Sequence, residues 1–154
     1  MKVDKLVCRS QPDNWLEMIV HECKSEYPLG NLRLDPNDLI IDVGANVGGF
    51  AMAWGHLSNN WYLVEPSKYN QEQIQKNLKD FKYKLFKNAV DSKSGDLLKL
   101  QKYIKGDTDT TSGNMGTSGF VYENNHYGWQ GDYEEVQSIN FKDLVGDKNV
   151  EILK

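Results

Sequence analysis

Two acids and a glycine-rich turn stand where they can do chemistry together. Asp42 ends the apolar run Leu39-Ile40-Ile41 and precedes the turn Val43-Gly44-Ala45-Asn46-Val47-Gly48-Gly49-Phe50. Glu65 follows about twenty residues later, at the tip of the apolar run Trp61-Tyr62-Leu63-Val64. A strand, a tight glycine turn, a helix and an acid ending the next strand together make a nucleoside-binding half-fold. Glycine lets the backbone come close to a ligand and take angles that a Cβ forbids. A carboxylate at Glu65 can accept hydrogen bonds from both hydroxyls of a ribose.

The spacing narrows the ligand. A dinucleotide fingerprint reads Gly-x-Gly-x-x-Gly, and its second glycine lets a pyrophosphate sit on the helix N-terminus. Here Asn46 takes that place, which argues against a nicotinamide dinucleotide. An acid before the turn, Asp42, suits a ligand with a cationic amino-acid end better than one with a pyrophosphate.

The stretch Asp42 to Gly48, then Val64-Glu65-Pro66, then Asn77-Leu78 closing the next helix, resembles the S-adenosylmethionine-dependent methyltransferases, and among them the FkbM family. The resemblance implies an α/β, Rossmann-like class I methyltransferase fold, a mostly parallel sheet with flanking helices. It implies S-adenosylmethionine as cofactor, held by Asp42, Gly44, Ala45, Asn46, Gly48, Glu65, Pro66, Asn88 and Ala89. Asp42 would serve the α-ammonium, Glu65 the ribose, Pro66 and Ser67 the adenine edge, and Asn88 with Ala89 the adenine ring. The implied reaction is O-methylation of a small molecule or glycan. In the family the segment matching Glu151 to Lys154 runs on into Lys-Ile-Asp-x-Glu-Gly, so the resemblance also implies that the last strands are missing here.

Several elements must position these residues. Apolar residues Trp15, Leu16, Ile19, Val20 and Cys23 recur at helical intervals and predict a helix over 13–27, capped by Asp13 or Asn14 and ended by Pro28-Leu29-Gly30. Leu39 to Val43 reads as a central parallel strand buried on both faces. A helix over 47–57, a strand over 61–64, a helix over 68–80 capped by Ser67, and a strand over 83–86 follow. Tyr69, Ile74 and Leu78 form the expected buried stripe of the second of these helices. Lys93-Ser94-Gly95-Asp96 predicts a hairpin turn into a strand over 97–103. Residues 135–139 alternate like an edge strand, 140–144 read as a short helix, and 150–154 begin a further strand. The expected division is a helical segment over 1–34 and a partial cofactor-binding domain over 35–154.

Residues 105–131 are rich in Gly, Thr, Ser and Asn, and too long for an ordinary connection, which points to a functional loop or disorder. Ser112, Asn114, Tyr122, His126, Tyr127 and Trp129 in it would suit a sugar or polyol acceptor. His126 is its one histidine and the candidate general base. His21 and His56 fall on expected helices and read as structural residues.

Bulk properties set the bounds. The 154 residues fit one domain, 39% hydrophobic and 26% charged. The net charge of −4 makes no electrostatic case for nucleic acid or an anionic membrane. No apolar run approaches the ~18 residues that span a bilayer, and no signal peptide is visible. Cys8 and Cys23 show no zinc-ligand spacing, so no metal is expected, and reduced thiols in a cytoplasm are the default. The strand at Val150 to Leu153 would leave an open flank that favours self-association. Two other classes stay open: a non-catalytic nucleoside-binding or assembly module, and a fragment of a nicotinamide-dependent oxidoreductase.

Overall fold

A computed structural model describes residues 15–101 and 133–154. Cys8, the capping candidates Asp13 and Asn14, His126 and the other loop candidates between Ser112 and Trp129 lie outside the described residues. In chain order the elements are α1 (Trp15–Glu26), β1 (Leu39–Val43), α2 (Gly49–Trp54), β2 (Asn60–Val64), α3 (Lys68–Asn77), β3 (Lys84–Phe86), β4 (Ala89–Val90), β5 (Leu97–Gln101), β6 (Tyr133–Ile139), α4 (Phe141–Val145) and β7 (Val150–Leu153).

The fold is α/β and Rossmann-like. A four-stranded parallel sheet has the order β3-β2-β1-β7. Ile40 and Ile41 on β1 are both wholly buried and point to opposite faces, as a strand covered on both sides requires. On one face Ile40, Trp61 and Leu63 pack with Phe50 and Trp54 of α2 and with Ile74 and Leu78 at α3, while Val20 and Cys23 of α1 close over them. On the other face Leu39, Ile41, Tyr62 and Val64 pack with Leu144 and Val145 of α4. Edge-to-face ring pairs Tyr27–Phe50, Phe50–Trp61 and Trp61–Phe81 run through the first layer.

The first helix after β1 is shorter than the expected 47–57. It starts at Gly49 because Gly48 takes a left-handed φ of 89°, and a 3-10 turn at Gly55–Leu57 carries the chain out. The α3 helix stops at Asn77 rather than residue 80. Its buried side is polar: Asn70, Gln71 and Gln73 join Ile74 inside, whereas Tyr69, expected in the stripe, is exposed. The amides of Asn70 and Gln71 bond at the site described below, so hydropathy alone misplaces the helix face.

A second sheet has the order β4-β6-β5, with β4 parallel and β5 antiparallel to β6. The strand expected at an edge, β6, is therefore the middle strand of this sheet. The turn at Lys93–Asp96 joins β4 to β5 without making them a hairpin, because each pairs with β6 instead. Hydrogen bonds from Gly95 N–H to Ser138 O and from Ser138 N–H to Asp96 O pin that turn to β6.

Candidate functional site

The parallel strands end together. Val43 lies beside Val64, and Val64 beside Phe86. Lys154, directly after β7, hydrogen-bonds across to Ile41 O and Val43 N–H. Strand order reverses between β1 and β7, and open α/β sheets bind ligands outside the carboxyl ends of their strands at such a reversal. The glycine turn leaves β1 at this point, and Glu65 leaves β2 one strand away.

The turn has a defined shape. Gly44, Asn46 and Gly48 all take left-handed backbone angles, with φ of 72°, 52° and 89°. Gly44 is exposed, and a Cβ built there would meet no atom within 4 Å. The glycine is thus demanded by its angle, and the space over it is open to a ligand. Gly48 serves the fold as well: a Cβ there would come 3.0 Å from Leu78 Cδ1. The amides of Gly44 and Ala45 both donate to Val64 O, and Ala45 is buried. Asn77 Nδ2 donates to Val47 O at 2.8 Å and holds the far side of the loop.

Glu65 is 5% exposed and ties the two loops together. Its Oε2 accepts from Asn46 N–H at 2.8 Å, and its Oε1 from Ser67 N–H at 2.9 Å and Asn70 Nδ2 at 3.3 Å. Gln71 Nε2 donates to the backbone oxygens of Glu65 and Pro66 and fixes the strand tip. Burial pushes the Glu65 carboxyl above its ordinary range, and the three donors pull it back only in part. A carboxylate has about four acceptor sites, so the three present donors leave room for about one more. A second needs exchange for one of the present donors.

Asp42 is fully buried and faces the α1–α2 side of the sheet. Its Oδ1 lies 2.9 Å from Lys154 Nζ, whose side chain keeps 23% of its exposure. Neither Asp42 oxygen meets a donor of good hydrogen-bond angle, so the contact is an ion pair. Burial raises the Asp42 pKa against the opposing pull of the Lys154 ammonium. For Lys154 burial is the largest influence and acts downward, but attraction to Asp42, together with smaller contributions from its contact with Asp42 and from Cys23 and Tyr27, outweighs it and holds the ammonium protonated above its ordinary range. The ammonium also sits 5.8 Å from the centre of the Phe50 ring.

Beyond Glu65 a groove of about 620 Å³ opens among Pro66, Lys68, Gln71, Asn88 and Glu134. Asn88 Nδ2 donates to Gln137 O. Ala89, by contrast, is 2% exposed and packs with Leu100 and Val136 of the second sheet. Ser67 occupies the position before α3, but its side chain makes no capping bond. Glu134 of β6 caps the helix from outside, accepting from Lys68 N–H at 3.2 Å. His56 lies in the 3-10 turn beside the Trp54 ring.

Asn70, Gln71 and Glu134 are site or near-site residues that pattern reading did not single out, and it quoted Asn77 and Lys154 only as motif residues, with no role in the site. Only the amides of α3 left a trace, as polar residues recurring along a helix that must bury one side.

No protein-family model matches the chain, and no curated protein sequence matches it. Several solved structures are similar to part of it, two of which follow. One is a Pyrococcus horikoshii protein provisionally assigned as an RNA methyltransferase, 24% identical, over 50% of this chain and 38% of that one, with a TM-score of 0.33. The other is DesVI of Streptomyces venezuelae, 16% identical, over 49% of this chain and 37% of that one, also with a TM-score of 0.33. The chain thus spans well under half the length of either protein, and likenesses this loose do not specify function.

Proposed function

We propose that the chain carries the cofactor site of an S-adenosylmethionine-dependent methyltransferase of the FkbM type, acting on an oxygen of a small molecule or glycan. One observation carries the reading: the open left-handed turn at Gly44 is joined to a buried acid, Glu65, by the Asn46 N–H, at the strand-order reversal of a parallel sheet. A dinucleotide reading fits less well, because the Asn46 amide donates inward to Glu65 and no glycine stands there to admit a pyrophosphate.

When bound, S-adenosylmethionine supplies a methyl group already activated on a sulfonium. The chain's own residues have to hold and orient. Gly44 gives backbone room, Glu65 accepts from the ribose, and Pro66 with Asn88 borders the base. Asp42 acts on the amino-acid end through the residue it pairs with. Holding the reacting atoms in line at near-attack distance is the main catalytic demand. The groove beside Pro66 and Asn88 falls within the size range of small-molecule sites. His126 is the proposed base for the acceptor oxygen.

Calorimetric titration with S-adenosylhomocysteine tests this reading. Saturable binding is expected, weakened about tenfold or more in Glu65→Ala, as loss of a charge-assisted hydrogen bond requires. A folded chain that binds NADH and not S-adenosylhomocysteine would return the dinucleotide reading to first place.

A further inference from the structure

We propose that Lys154 is the group that receives the carboxylate of the ligand's amino-acid end, and that Asp42 is the positioning residue that aims it. This rests on the cofactor reading above and goes beyond it: the sequence reading gave Asp42 the α-ammonium of that end, and assigned nothing to its carboxylate.

The two residues differ in access. Asp42 keeps none of its side-chain exposure, whereas Lys154 keeps 23%. A ligand arriving over Gly44 therefore meets the ammonium and not the carboxylate. A lysine ammonium has three donors. The contact with Asp42 Oδ1 is an ion pair and not a hydrogen bond of good angle, so Asp42 does not use up these donors. Among the described residues Asp42 is the one carboxylate paired with it. Of its other surroundings, the Phe50 ring carries no charge and burial pushes the Cys23 thiol up, towards its neutral form.

Location adds the second argument. Asp42 lies on β1 and Lys154 directly follows β7, the two strands that flank the reversal of strand order. The backbone of Lys154 is clamped between Ile41 O and Val43 N–H, so the base of its side chain is fixed two residues from Gly44. A buried ion pair is weak evidence for stability, since an apolar pair of similar size does as well or better. A pair that fixes a half-open cation beside an open turn has a use that an apolar pair lacks. The ligand chemistry it fits is a carboxylate on a flexible stem, as in an α-amino acid end.

The test compares three ligands on the unmodified chain by calorimetry: S-adenosylhomocysteine, its decarboxylated analogue and methylthioadenosine. The decarboxylated analogue should bind about tenfold or more weakly than S-adenosylhomocysteine. In Lys154→Met that gap should close, with methylthioadenosine affinity unchanged. Should Lys154→Met fail to fold around the lone Asp42 charge, the double variant Asp42→Asn/Lys154→Met carries the same expectation. If neither variant folds, the three-ligand comparison on the unmodified chain decides alone. Equal affinities for S-adenosylhomocysteine and its decarboxylated analogue on the unmodified chain would overturn the role of Lys154 while leaving the nucleoside site standing. A variant that weakens all three ligands equally would also overturn it, since that marks a structural lysine. A folded chain that binds none of the three removes the cofactor reading itself, and the inference with it.

Discussion

Glu65 answers to two demands that pull in opposite directions. As a buried group it binds its proton more tightly in the folded chain than in the unfolded one. Its titration therefore favours the folded state below the ordinary glutamate value of 4.5, and that advantage is lost as pH rises through the folded value. As the ribose acceptor proposed above, it must be ionised. Affinity for S-adenosylhomocysteine is accordingly expected to fall on acidification, starting above pH 4.5 and steepening to about tenfold per pH unit as a single proton is taken up. Calorimetry across a pH series checks this, with Glu65→Ala as the comparison. A profile of the same shape in the variant would assign the acid dependence to another group.

At the scale of elements, the close approach of α1 to α2 decides how rigidly the glycine turn is backed. A Cβ at Gly49 would overlap Ile19 Cγ2, inside any tolerable contact. Gly49→Ala should lose about 1–3 kcal/mol by overpacking, with part of the loss recovered by adding Ile19→Ala. Gly44→Ala has free space and only its φ of 72° against it, so about 1–2 kcal/mol is expected and no rescue from α1. Urea denaturation of the variants separates the two; equal rescue of both by Ile19→Ala would contradict the packing account. These elements also show what the sequence discloses. Strands β1 and β2 are legible because continuous apolar runs between turn signals have few other solutions, and the glycine turn because its spacing is restrictive. The second sheet was not legible. Alternation along β6 reports which face is buried, not which strands lie beside it, and β6 finds β4 and β5 across a long stretch of chain. The polar inner side of α3 was hidden for a related reason. Asn70 and Gln71 turn inward because the Glu65 tip needs donors, a demand set by another element and invisible to helical periodicity.

Across the whole molecule, the Asp42–Lys154 pair fastens the latest described strand to the earliest. The segment after β3 passes through the second sheet and α4 before β7 returns to β1, so this junction closes a large part of the chain on itself. Removing one partner leaves a buried charge alone. Asp42→Asn is therefore expected to cost about 3 kcal/mol, the low end for such a pair because Lys154 stays partly exposed. Asp42→Asn/Lys154→Met should recover most of that loss. The pH dependence follows from the lysine. Its folded pKa lies above the ordinary 10.5, so its stabilising contribution is complete below pH 10.5 and disappears as pH rises through the folded value. Between those points the unmodified chain should lose stability faster than the double variant, whose remaining lysines provide the baseline. Chemical denaturation at several alkaline pH values measures the difference. Parallel curves for the two proteins would mean that the ion pair adds nothing to the closure of the sheet, and that backbone pairing of Lys154 with Ile41 and Val43 holds β7 unaided.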